Sequence, residues 1–108
     1  MLQGSADPYG AKAVRASAGN VFRLTVAQAA WADLAGLDGW GAAASGGTIL
    51  ANAPVERGGM VVLGSEAHGL SRIDLNLVTV PVSDGVESLN VAAAAAVILF
   101  EIRRRLAA

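Results

Sequence analysis

The order of apolar and polar residues predicts several strands along the chain. Residues Val21–Val26 alternate as a half-buried strand does, whereas Met60–Leu63 is a continuous apolar run typical of a buried parallel strand. Leu77–Val80 predicts a further strand, which Pro81 ends because proline cannot donate to a sheet ladder. Two weaker strand candidates are Trp40–Ala44 and Thr48–Leu50.

Helix signals lie between these strands. Asp7 and Pro8 suit the N-cap and first helical positions of a helix that runs to Ala18 and that Gly19 ends. Further helices are predicted at Gln28–Leu37, Ser71–Asn76 and Ser88–Arg105. Strands that alternate with helices predict an α/β fold with a mostly parallel sheet flanked by helices.

The first predicted element is the helix at Asp7, whereas a parallel sheet normally begins with a strand. We therefore expect the 108 residues to form one partial domain, the C-terminal portion of a larger one whose N-terminal strands are missing.

Composition excludes several classes of protein. The chain is 54% hydrophobic and 16% charged, so it can bury a core. Its net charge of −1 gives no general attraction to nucleic acid, so any such contact needs a local patch. Cysteine is absent, which excludes disulfides and favours a cytoplasmic protein. The longest apolar run, Val91–Phe100, is shorter than the about 20 residues that span a membrane.

The segment between the last strand and the last helix is the first candidate site. Ser83–Gly85 has turn chemistry, Ser88 can cap the helix that it opens, and Glu87 lies at the positive end of the helix dipole. A strand end, a polar loop and a helix start therefore meet within a short stretch. In α/β sheets this is a usual position for a ligand.

A second candidate is the loop Gly64–Gly69, which follows the apolar strand. It is not a P-loop, because Leu70 and Ser71 stand where Lys and Ser or Thr are required. A plain turn and a ligand loop remain open alternatives, with Glu66 as its only formal charge.

Other conspicuous residues have simpler explanations. His68 is the only histidine and lacks the companions of a metal site, so no metal is expected. Three basic residues could face phosphate, although solvated surface is commoner: Lys12, Arg15 and Arg23. Arg103–Arg105 complements the helix dipole, and Ala92–Ala96 suits either intrachain packing or a dimer seam.

Three segments together resemble the SpoU (TrmH-type) branch of the SPOUT RNA methyltransferases. Asp7–Phe22 (DPYGAKAVRASAGNVF) is similar to the family's central helix and following strand. Val62–Ser71 (VLGSEAHGLS) is similar to its second motif, and Val80–Glu101 (VPVSDGVESLNVAAAAAVILFE) to its third. Their order and spacing agree with the family.

The resemblance implies a C-terminal trefoil knot that holds S-adenosyl-L-methionine largely through backbone groups. The residues that would bind this cofactor are Leu63, Gly64, Gly69, Val80, Val82 and Leu89. Glu66, Ser88 and Asn90 match polar residues around the transferred methyl group and the target ribose. The implied reaction is methylation of a ribose 2′-hydroxyl in tRNA or rRNA, by a homodimer paired through the final helix.

One departure from the family qualifies this prediction. The family's first motif, an Asn followed by an Arg that promotes removal of the hydroxyl proton, has no counterpart here, because no Asn precedes Asn20. We therefore expect these residues alone to lack methyltransferase activity. Two alternatives are a non-catalytic cofactor-binding or dimerisation module and an unrelated α/β nucleotide-binding domain, although the glycine fingerprint of the latter is missing.

Overall fold

A computed structural model describes residues 1–64, 75–85 and 89–107. These residues form two compact units, Met1–Gly36 and Leu37–Ala108. The prediction of one partial domain stays a prediction. Within the described ranges, no helix is both long and apolar enough to cross a membrane.

The first unit contains a short helix, α1 (Ala11–Ala16), whose start differs from the prediction. Its N-cap is Gly10 and not Asp7. The Asp7 carboxylate instead accepts a hydrogen bond from the backbone N–H of Tyr9 at 2.9 Å. Short acidic side chains readily form such local turns, which compete with helix, so the predicted cap is wrong by three positions.

The helix α1 ends at Ala16, two residues before the predicted end, and its left-handed C′ residue is Ala18, one residue before the predicted Gly19. Ser17 is the C-cap, and Ala18 and Gly19 then adopt left-handed conformations with φ of 52° and 80°. The N–H of Gly19 donates to the carbonyl of Val14 at 3.1 Å, which closes the last turn. Gly19 accepts its positive φ without strain.

The strand predicted at Val21–Val26 is wrong. Residues Asn20–Arg23 form a 3₁₀ turn in which Val21 is buried. The Ser17 hydroxyl accepts from the N–H of Val21 at 3.3 Å, which commits a backbone donor that a strand would need for its ladder.

The helix predicted at Gln28–Leu37 is reduced to one 3₁₀ turn, Trp31–Leu34. Ala29 is held in an isolated parallel bridge with Leu2, so the chain is extended there. The Asp33 carboxylate then accepts from the N–H of Ala30 at 2.8 Å and starts the turn. These local contacts outweigh the apolar periodicity of the segment.

The second unit is built on a four-stranded sheet in which every pair is parallel. The strands are β1 (Trp40–Ala42), β2 (Thr48–Ile49), β3 (Val61–Val62) and β4 (Asn76–Thr79), in the order β2-β4-β1-β3. All four lie within or beside predicted strands, which confirms the α/β class. Asn76, predicted to end a short helix, is instead the first residue of β4; the rest of that predicted helix, apart from residue 75, lies outside the described residues.

The final helix, α2 (Val91–Leu106), begins later than predicted. Its N-cap is Asn90, whereas Ser88 was the predicted cap and lies outside the described residues. The buried side chain of Ile98 belongs to the core of this unit, with partly buried Ile102 packed against it. The other buried members of that core are Leu50, Ala53, Val55 and Val78.

Arg105 joins the last turn of α2 to the segment after β2. Its guanidinium donates to Glu101 at 2.7 Å, to Glu56 at 2.9 Å and to the carbonyl of Leu50 at 2.8 Å, and it also contacts the carbonyl of Ala53. Only 17% of the side chain is exposed. The dipole explanation of the terminal arginines is therefore incomplete, because Arg105 is a packed structural residue.

Replacing Arg105 by Ala should destabilise the chain far more than replacing Arg104. Both residues bind Glu101, but the Arg104 side chain is 59% exposed and such surface pairs contribute little. Without Arg105, two partly buried carboxylates and two carbonyls lose a donor. Urea unfolding of R105A, R104A and wild type measures the difference, and equal midpoints for the two variants would contradict this role.

The free energy of unfolding should also decrease at acidic pH, because the Glu101 carboxylate becomes protonated. Hydrogen bonds from Arg104 and then Arg105 lower the pKa of this carboxyl from 4.5 to about 2. A lowered folded-state pKa stabilises the protein above pH 4.5, and the contribution is lost as pH falls towards 2. Wild type and E101Q should therefore differ in unfolding free energy at neutral pH and converge in acid; a constant difference would count against the linkage.

Candidate functional site

The carboxyl ends of β3 and β4 lie at the same edge of the sheet. Both strands pair with β1, Val62 opposite Gly41 and Val78 opposite Ala42. One strand thus separates them, which places the two ends roughly 10 Å apart. The chain therefore leaves the sheet after β3 and after β4 at the same edge, with β1 between the two points.

The space between these ends is bordered by small residues. β1 continues into Ala43, whose N–H donates to the carbonyl of Val78 at 2.9 Å, and then into exposed Ala44. Neither side chain extends beyond a methyl group, so the end of the central strand carries no bulky side chain. This feature was missed in the sequence, where Ala42–Gly47 shows only a small-residue-rich stretch.

Gly47, which precedes β2, makes a close backbone approach to β4 on the side away from β1. A Cβ atom there would lie 2.8 Å from the carbonyl of Leu77 and from the hydroxyl of Thr79. The N–H of Gly47 donates to that buried hydroxyl at 3.0 Å. The chain after β1 is thus held directly against β4.

Apolar side chains near the carboxyl ends of β3 and β4 and before α2 remain accessible to solvent. Leu63 and Leu89 are 41% and 38% exposed, and Val80 and Val82 are half-buried. An apolar lining at the ends of strands is characteristic of small-molecule sites. Leu63 and Val80 directly follow β3 and β4, Leu89 precedes the N-cap of α2, and Gly64 follows Leu63. Their assignment to the cofactor stays a prediction.

Asn90 caps α2. Its Oδ1 accepts from the N–H groups of Ala92 at 2.8 Å and Ala93 at 3.2 Å. These two donors fix the orientation of the amide, in which the oxygen accepts and the nitrogen can only donate.

The remaining predicted site residues, Glu66, Gly69 and Ser88, lie outside the described residues, as does His68. Their predicted roles stay predictions. Across the described part of the chain, no group of three or more His, Cys, Asp or Glu could hold a metal ion.

The model of the SpoU rRNA Methylase family matches residues 1–100. The chain belongs to the SpoU family. An uncharacterised tRNA/rRNA methyltransferase from Mycobacterium sp. (strain KMS) is 40% identical over 107 residues, which cover 88% of this chain and 34% of that protein. The chain therefore spans about a third of the length of the curated relatives it matches.

Two solved structures share the SpoU fold described above. The AdoMet-bound rRNA methyltransferase of Sinorhizobium meliloti has a TM-score of 0.80 and 29% identity over 97% of this chain and 44% of its own. A putative TrmH-family RNA methyltransferase of Porphyromonas gingivalis has a TM-score of 0.72 and 34% identity over 96% of this chain and 47% of its own. The predicted family and fold class are confirmed.

Two substitutions of Asn90 should show how much its side chain stabilises the protein as the N-cap of α2. Asn90→Ala removes the acceptor for two helix N–H groups and should cost about 0.5–2 kcal/mol of unfolding free energy. Asn90→Ser keeps an acceptor and should stay close to wild type, because Ser caps about as well as Asn. Thermal unfolding measures both; equal losses would show that the cap is not what Asn90 contributes.

Proposed function

We propose that this chain forms the S-adenosyl-L-methionine-binding part of an RNA methyltransferase that acts on a ribose 2′-hydroxyl of tRNA or rRNA. The observation that carries the proposal is that β3 and β4, both paired in parallel with β1, end at the same edge of the sheet. It is supported by family membership and by the AdoMet-bound structural neighbour.

The described residues fit this cofactor. S-adenosyl-L-methionine combines an adenine ring with polar groups and supplies an electrophilic methyl group on a sulfonium. Exposed Leu63 and Leu89 offer apolar surface for a ring, and Ala43 and Ala44 at the end of the central strand carry only methyl side chains. We assign cofactor binding to Leu63, Gly64, Gly69, Val80, Val82 and Leu89.

We assign the RNA side of the reaction to Glu66, Ser88 and Asn90. A ribose 2′-hydroxyl is weakly acidic and must be aligned and polarised before it can accept a methyl group. Asn90 is suited to orientation rather than proton removal, because its Oδ1 is bound to helix N–H groups and its amide nitrogen is a donor. Of the three, only Glu66 has a carboxylate.

Cofactor binding should depend on Leu89 and not on the other end of the same helix. Leu89→Arg introduces a long charged side chain beside the site and should abolish calorimetric binding of S-adenosyl-L-methionine. Leu106→Arg is the matched control, because Leu106 is also an exposed leucine, at the last position of α2. Equal affinities in the two variants would refute the placement.

A methyl-transfer assay on unmodified tRNA and rRNA with the whole protein separates catalysis from binding. Asn90→Ser should keep the fold and cofactor affinity while the rate falls. An unchanged rate would favour the second candidate, a non-catalytic binding module. One observation favours the non-catalytic module: both hydrogen bonds accepted by Asn90 Oδ1 are those of a helix cap.

We further propose a homodimer through α2. Ala93, Ala96, Val97 and Phe100 recur at helical spacing and are exposed, whereas Ile98 on the other side of the helix is buried. Antiparallel pairing about a two-fold axis would bring these apolar residues together and keep the arginine-rich C-terminal turns apart.

The dimer should depend on Phe100, which is 69% exposed. Phe100→Glu places two like charges at the proposed contact and should give monomers in sedimentation or light scattering. Arg104→Ala, at the rim of the same surface, should remain dimeric. A wild-type protein that is monomeric at high concentration would exclude the proposal.

A further inference from the structure

The first unit exposes a pair of stacked aromatic rings. The ring centroids of Tyr9 and Phe22 are 5.9 Å apart and their planes are inclined by 17°. Although the rings cover each other, Tyr9 is 51% and Phe22 66% exposed, and neighbouring Leu24 is 67% exposed. A stacked pair hides one face of each ring, so the exposed fraction leaves ring surface for a ligand.

Local hydrogen bonds order the backbone that carries the two rings. The Asp7 carboxylate fixes the backbone of Tyr9 ahead of α1. On the other side, the Ser17 hydroxyl donates to the carbonyl of Val14 at 2.9 Å and accepts from the N–H of Val21. Val21, 8% exposed, anchors the turn that carries Phe22. The backbone that carries the rings is thus ordered before a ligand binds, which lowers the entropy cost of binding.

The same segment is basic. Residues 7–24 contain three of the eight Lys and Arg residues but only one of the nine Asp and Glu residues. The three cations, Lys12, Arg15 and Arg23, are all exposed. In a chain with a net charge of −1, this is a local excess of positive charge in the segment that carries the two rings.

We propose that this surface, Tyr9 and Phe22 with Lys12, Arg15 and Arg23, binds a single-stranded segment of RNA. An unpaired base stacks on the aromatic pair, and the cations contact phosphates on either side. An apolar protein partner would account for the rings but not for the excess of cations. The inference rests on the proposed function for the nature of the ligand, and it adds a contact for RNA within the first unit.

The test is fluorescence anisotropy with a labelled single-stranded RNA oligonucleotide and with its duplex, at low salt and without S-adenosyl-L-methionine. The single strand should bind more tightly than the duplex. Phe22→Ala should weaken single-strand binding by about 5- to 100-fold, as expected for loss of one stacked base. Arg15→Gln should reduce the slope of log K against log salt by about 0.7 while the preference for single strands remains.

Phe22→Leu and Phe22→Trp separate stacking from apolar contact. Leucine keeps apolar surface without an aromatic face, so Phe22→Leu should bind as weakly as Phe22→Ala, and Phe22→Trp should bind at least as well as wild type. Thermal unfolding checks that these exposed substitutions leave the fold intact. Wild-type affinity in Phe22→Leu, or no binding of RNA by the wild type, would overturn the proposal.

Sedimentation of the same variants identifies a protein contact. If Phe22→Leu and Phe22→Ala change the oligomeric state and leave RNA affinity unchanged, the rings serve a protein interface and the inference is wrong. Calorimetry with S-adenosyl-L-methionine tests the proposed function separately from the proposed RNA surface. The Phe22 variants should bind the cofactor as wild type does, whereas Leu89→Arg should not.

Discussion

The second unit depends on a guanidinium that is largely removed from solvent. Arg105 contacts two carboxylates and two backbone carbonyls, and the segment that supplies most of them, Leu50–Glu56, also supplies core residues. The helix is therefore fastened at its C-terminal end by charge-assisted hydrogen bonds and along its length by Ile98 in the core. Because a helix rises 1.5 Å per residue, this fixes the position of Asn90 about 22 Å away.

The candidate site is bordered by small residues and by partly exposed apolar side chains. Alanine follows the central strand, glycine lies against β4, and leucines at the rim are left partly exposed. Among the described residues the candidate site consists of small and apolar side chains, and two of the polar residues assigned to it, Glu66 and Ser88, lie outside them.

The sheet was predictable from sequence because its strands are apolar runs with clear stops. Met60–Leu63 and Leu77–Val80 both coincide with observed strands, and Pro81 ends the second as its chemistry requires. The first unit was poorly predicted, since Asp7, Ser17 and Asp33 each bind nearby backbone and form turns that periodicity does not reveal. The network of Arg105 was missed because Glu56 and Leu50 are distant in sequence, and the trefoil knot stays a prediction.

The strand order has a consequence for how the candidate site is assembled. β4 lies between β1 and β2, both of which precede it in the chain, so neither of those strands can pair with the other. The sheet is completed only when a later segment enters between two earlier ones, and each of those pairings spans some thirty residues or more. Long-range parallel pairing of this kind slows folding, because the entropy of loop closure is lost before the contacts form. The candidate site is therefore one of the last parts of the second unit to exist during folding.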